Sequence, residues 1–219
     1  MSEKNSKPKT LVTLLLDRSG SMEKVREDTI GAVNSYVRKL RESDGDIRFS
    51  LVLFDSDFSG NMELKKVSVG KKVSKMKELT GEDFEPRGGT PLIDAACATI
   101  RAVAESVKGR EDTRIVIALQ TDGDENHSRE NSWQDLKALI SQKEKFGWEF
   151  LFMGCGIDAY RQGAQMGISR SKTLSYGADS IATKAAFEAT AMNTAMYASG
   201  TSASMEYTAG QKKSAGDES

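Results

Sequence analysis

The chain has 219 residues, enough for one α/β domain with a full hydrophobic core and no need of disulfides or structural zinc. Its 31 basic and 32 acidic residues leave a net charge of -1, so there is no electrostatic case for nucleic acid or an anionic membrane as principal partner. No apolar run approaches a membrane span and the lysine-rich start lacks the apolar core of a secretory signal; Cys97 and Cys155 cannot make a zinc site with the single His127, so a cytoplasmic chain with free thiols is expected.

Residues 1–9 are polar and read as a flexible start. Thr10 to Asp17 is a nearly unbroken apolar run, the pattern of a strand buried on both faces. A helical period follows from Glu23 to about Leu40, with Val25, Ile30, Val33, Tyr36, Val37 and Leu40 near one face. After a turn at 42–46, Ile47 to Phe54 is a second strand, and the weak alternation of Met62 to Val69 fits its antiparallel hairpin partner at a sheet edge. Val73 to Leu79 is expected as a short helix. Pro91 opens the next helix, at a position where its missing donor is harmless. Arg114 to Leu119 is another buried strand. An amphipathic helix from Ser132 to Phe146, closed by Gly147, leads to a strand at Trp148 to Met153. A short helix (159–166), a short strand (173–176) and an alanine-rich helix (180–197) complete a domain expected over residues 10–199. Residues 200–219 are small and polar without a period, and read as a disordered tail. Strands alternating with helices predict a three-layer Rossmann-like α/β sandwich, its sheet mostly parallel with one antiparallel edge strand and helices on both faces.

Three short segments sit beside strand ends or helix starts: Asp17-Arg18-Ser19-Gly20-Ser21, Gly88-Gly89-Thr90-Pro91 and Thr121-Asp122-Gly123. In an open α/β sheet the loops beyond the carboxyl ends of the strands form the ligand crevice. Asp17 and Asp122 offer carboxylates there, and Ser19, Ser21 and Thr90 offer hydroxyls. An all-oxygen set suits a hard cation: Mg²⁺ first, with Mn²⁺ or Ca²⁺ as alternatives. Three of the five donors are neutral, so a bound ion keeps electrophilic character and favours a carboxylate from outside.

In this order, DxSxS, a TP-containing loop and a TDG turn resemble the metal-ion-dependent adhesion site of von Willebrand factor A-type domains. The stretch from Phe152 through Lys172-Thr173-Leu174 to the last helix is similar to small free-standing bacterial and phage versions. The resemblance implies that Asp17, Ser19, Ser21, Thr90 and Asp122 hold one divalent ion, directly or through water. It implies a non-enzymatic module whose protein partner supplies an exposed Asp or Glu. Arg18, Met22, Glu125 and His127 are expected at the partner-facing rim.

Other readings compete. Ser19 or Ser21 could simply cap the first helix. TDGDEN resembles half an EF-hand loop, but His127 stands where that loop needs glycine and Trp133 where it needs Glu. Gly154-Cys155-Gly156 with Ala159 and a later Asp179 fits a dinucleotide fingerprint, with too little chain between them for a full helix and strand. His127 beside the metal edge would suit a metal-assisted phosphoester hydrolase. The lysines at 65–77 read as a solvated face, or as a basic footprint for an acidic partner beside the cation.

Overall fold

The computed structural model describes residues 9–110 and 112–217. The expectation of a flexible start at residues 1–8 lies outside them; Lys9 already belongs to the first strand.

Six strands form one sheet in the order β3-β2-β1-β4-β5-β6. They are β1 (Lys9–Asp17), β2 (Asp46–Ser56), β3 (Met62–Lys72), β4 (Thr113–Thr121), β5 (Glu149–Cys155) and β6 (Thr173–Tyr176). All neighbouring pairs are parallel except β2 and β3, whose hairpin puts the antiparallel strand at the edge, as the alternation predicted. The period of two sorts side chains between the faces. Val12, Leu14 and Leu16 face one core with Val116, Ala118, Leu151 and Met153. Leu15, Ile117, Leu119, Phe150 and Phe152 face the other.

On the first face, α1 (Arg26–Arg41) packs against α5 (Ser180–Ser199). Tyr36 meets Phe49 edge to face at 5.5 Å, and its hydroxyl lies 2.8 Å from Thr194 Oγ1 across the two helices. On the second face lie α2 (Leu92–Ser106), α3 (Trp133–Glu144) and α4 (Ala159–Met166). The three-layer sandwich is therefore the architecture observed.

Three local expectations change. Residues Gly20–Val25 form a 3-10 turn before α1, and this tucks Met22 fully into the core. Only Val73–Lys75 make a helical turn after β3, and Met76 is already extended. Residues 200–217 are ordered rather than a disordered tail. Met205, Tyr207 and Ala215 are buried in the α1–α5 core, and a short helix, α6 (Ala209–Ser214), starts from a capping box of Thr208 and Gln211. Its attachments are polar and specific: Tyr207 N donates to Ser171 O at 2.8 Å, and Gln211 Nε2 donates to Asn193 Oδ1 at 2.7 Å. Three well-spaced anchors hold this segment without any helical period, so patterning alone could not see them.

The basic stretch is also relocated. β3 runs down the edge from Met62, opposite Ser56, to Lys72, opposite Arg48. Lys71, Lys72, Lys75 and Lys77 therefore lie at the end of the sheet opposite the carboxyl edge of β1, not beside it.

Candidate metal centre

β1 and β4 end side by side, so Asp17 and the Thr121-Asp122 turn come together at the carboxyl edge of the sheet. Asp17 is completely buried there. Its Oδ1 accepts from Ser19 N at 2.6 Å, and its Oδ2 accepts from the Thr121 hydroxyl. The Ser19 and Ser21 hydroxyls lie 3.1 Å apart, and Ser21 Oγ donates to Asp122 Oδ1 at 2.6 Å. Ser19 stands at the N-cap of the 3-10 turn but makes no side-chain capping bond, so capping does not account for these hydroxyls. Thr90 closes the group. A Cβ built on Gly123 would lie 3.2 Å from Thr90 Oγ1 and 3.5 Å from Ser21 Oγ, so both hydroxyls converge on that glycine. All five predicted ligand residues are thus brought to one place.

The scaffold that holds Thr90 was not legible beforehand. Thr90 N donates to Asn126 Oδ1 at 2.8 Å, and Asn126 N returns a bond to Thr90 O at 3.2 Å. Gly88 has φ +61, and a Cβ there would lie 1.9 Å from the Ser56 carbonyl oxygen, so only glycine fits this approach. Gly89 N donates to Ser56 Oγ at 2.7 Å, and Gly20 N donates to Gly88 O at 3.1 Å, tying the first loop to the second.

Charged side chains lock the same loops from beneath. Buried Asp55 accepts from Arg18 Nε at 2.8 Å and from Arg87 Nε at 3.0 Å. Arg87 N also donates to Arg18 O at 2.9 Å. Arg18 is therefore buried against Asp55, and Met22 lies in the core, so neither forms a rim. Glu125 also turns inward. Its carboxylate accepts from Ile93 N at 2.9 Å in the first turn of α2, where a negative charge is favoured, and from Ser128 N at 2.7 Å. Asp94 on α2 reciprocates, accepting from the backbone N–H groups of Arg129, Glu130 and Asn131. His127 alone of the four expected rim residues remains half-exposed without a burial role, beside Gly89, with Nδ1 2.5 Å from Asn126 Oδ1. Asp124 is exposed and pairs with Arg161 at 2.7 Å.

The two carboxylates set the electrostatics of the site. Burial pushes the Asp17 carboxyl up to about 7, against the hydrogen bonds from Thr121 and Ser19, and the nearby Asp122 adds to the rise. Burial raises Asp122 as well, opposed by Ser21 and by Lys24. Among the described residues no group of three or more His, Cys, Asp or Glu is placed to hold a metal, so an ion at this edge would take hydroxyls beside the two carboxylates. The donor set fits a hard cation. The oxygen separations of 2.6 Å and 3.1 Å bracket the roughly 3 Å expected between adjacent ligands on an octahedral ion with bonds of about 2.1 Å.

The dinucleotide fingerprint resolves into packing. Gly156 N donates to Tyr176 O at 2.8 Å, and a Cβ on Gly154 would lie 2.6 Å from Ala159 Cβ. Asp179 caps α5, accepting from Ile181 N and Ala182 N. Cys97 and Cys155 are both buried and free. Among the described residues no helix is long and apolar enough to cross a membrane.

Comparison with known proteins agrees with this geometry. A search of curated proteins finds no match. Among solved structures, the chain is similar to proximal thread matrix protein 1 from the mussel byssus with a zinc-occupied MIDAS motif, at TM-score 0.61 and 15% identity over 86% of this chain and 46% of that one. It is similar to the manganese-loaded TRAP protein of Plasmodium vivax, at TM-score 0.57 and 16% identity over 78% of this chain and 69% of that one. It also resembles the pilus adhesin SpaC of Lactobacillus rhamnosus GG, at TM-score 0.65 and 14% identity over 89% of this chain and 31% of that one. The chain thus spans about half the length of the mussel protein, and at these identities the likeness is one of fold. The model of the von Willebrand factor type A domain matches residues 12–195, nearly the whole described sheet and its helices. The chain belongs to the von Willebrand factor type A domain family.

Proposed function

We propose that this protein is a divalent-cation-dependent recognition module, in which Asp17, Ser19, Ser21, Thr90 and Asp122 hold one ion and a partner protein completes the shell with an exposed Asp or Glu. The observation that carries the reading is the convergence of three loops on a buried carboxylate that no basic side chain pairs among the described residues. Bound there, a divalent cation supplies an electrophilic centre for an incoming carboxylate. The chain's own side chains orient it: Thr121 and the Ser19 N–H fix the Asp17 carboxylate, and Asn126 fixes the loop that carries Thr90. Mg²⁺ is the proposed ion, because a water-rich octahedral shell tolerates a donor set this poor in charge. Zinc and manganese in the MIDAS-bearing mussel protein and the manganese-loaded TRAP protein support a divalent ion in this fold.

Binding rather than catalysis is the reading the side chains favour. His127 Nδ1 is engaged with Asn126, and the serines face the cation position rather than a base. The even charge balance supports a protein partner over nucleic acid or membrane, and two buried free thiols are compatible with the cytoplasm. The test is retention of a partner from host lysate in Mg²⁺ and in EDTA, with Thr90→Ala beside wild type. A protein held only by wild type in Mg²⁺ supports the module. Equal retention in EDTA overturns it, and cation-dependent turnover of phosphoesters would replace it with the hydrolase.

A further inference from the structure

At the opposite end of the sheet, α2 leaves a cavity of about 750 Å³ between its C-terminal half and the face of β1, β2 and β3. Elsewhere on this face the gap under the helices is filled by Phe150, Phe152 and Ile140. Here the facing residues are small: Thr13 and Ser50 on the strands, Thr99, Ala102 and Ser106 on the helix. Interiors are otherwise packed to near-crystalline density, and an opening of this size falls in the range of small-molecule sites.

The lining has a definite chemistry. Leu11, Val52, Leu64 and Val103 make apolar walls. On the β3 side the wall carries Arg48, Lys66 and Lys72, all exposed and without a carboxylate partner among the described residues. Lys9, by contrast, is paired with Asp112 at 3.4 Å. Arg48 on β2 stands opposite Lys72 on β3, and Lys66 stands opposite Val52, so the three cations share one side of the opening.

We propose that this cavity binds an amphipathic carboxylate, an apolar chain with an acid at one end. The acid lies against Arg48, Lys66 and Lys72, and the chain runs beneath α2 along Leu11, Val52, Leu64 and Val103. The site is independent of the cation edge, since β1 separates Thr13 from Asp17 by about 13 Å.

The probe is decanoate, titrated calorimetrically into the full chain in EDTA, with decyltrimethylammonium alongside. The expected result is 1:1 binding of decanoate with Kd on the order of 100 µM and none of the cationic amphiphile. Ala102→Trp fills the opening and abolishes binding. Lys66→Glu combined with Lys72→Glu, at exposed positions that leave the core intact, weakens it about tenfold. Absence of saturable binding, equal binding of the cationic amphiphile, or titrations unchanged by both the tryptophan and the charge-reversal variants overturns the proposal.

Discussion

At the scale of single residues, groups proposed to touch the cation differ from groups that aim them. Thr90 contributes a hydroxyl to the site, so Thr90→Ala is expected to leave the cation-free fold within about 1 kcal/mol of wild type while removing the stabilisation that Mg²⁺ confers. At 100 times Kd that stabilisation is about 2.7 kcal/mol, and for a chain of this size each kcal/mol moves Tm by roughly 2–4 °C. Thermal unfolding in Mg²⁺ and EDTA reads both quantities. Asp55 behaves differently because it touches no cation. Asp55→Ala strands the buried Arg18 guanidinium and is expected to cost about 3–5 kcal/mol with or without Mg²⁺, measured by urea unfolding. Gly88→Ala meets both a left-handed backbone and the Ser56 carbonyl, and is expected to destabilise by at least about 2 kcal/mol.

Asp94 carries a pH dependence. Burial pushes its carboxyl up, but hydrogen bonds from the Asn131 side chain and from the N–H groups of Arg129, Glu130 and Asn131 outweigh that and hold it below the usual range. A carboxyl lowered by folding contributes stability that is fully present above its unfolded pKa of about 3.9 and is lost as pH falls through the folded value. Wild type should therefore lose Tm below about pH 4 more steeply than Asp94→Asn. That variant should already be less stable by about 1–3 kcal/mol at neutral pH.

At the scale of elements, the buried strands and the hairpin edge were legible because their patterns are dictated by burial: TLVTLLLD and RIVIAL have no polar face to turn to water. The grouping of the five candidate ligand residues was legible because each stands at a strand end or helix start that those patterns locate. What stayed hidden was side-chain partnership. Nothing in the run of residues says that Arg18 pairs with Asp55, 37 positions away, or that Glu125 caps α2 instead of facing a partner. The 3-10 turn that buries Met22 was hidden for the same reason. The last segment was misread because its three anchors follow no period, although Thr208 and Gln211 already had capping-box spacing. Tyr207 is buried, with its hydroxyl 2.9 Å from Thr190 Oγ1, so Tyr207→Ala is expected to cost about 3–5 kcal/mol. Truncation after Ser199 should lower Tm at least as far, whereas a free tail could be removed without effect.

At the scale of the whole molecule, the two proposals fall at opposite ends of one sheet. The carboxyl edge gathers hydroxyls and carboxylates from three loops, and α2 and the β4–α3 loop brace each other through Asp94 and Glu125. The other end carries the cavity, and α2 runs from Thr90 at the first to Ala102 and Ser106 at the second. α2 therefore links the two, since its first turn braces the loop proposed to hold the cation and its last turns roof the cavity.

The central claim is that these five side chains hold one divalent cation. Titration of Mn²⁺ followed by electron paramagnetic resonance counts bound ions directly, and competition with Mg²⁺ reports the lighter ion. The account predicts one ion per chain, displaced by Mg²⁺ and lost in both Thr90→Ala and Asp17→Asn. No bound ion in wild type, or one that survives both substitutions, would contradict it.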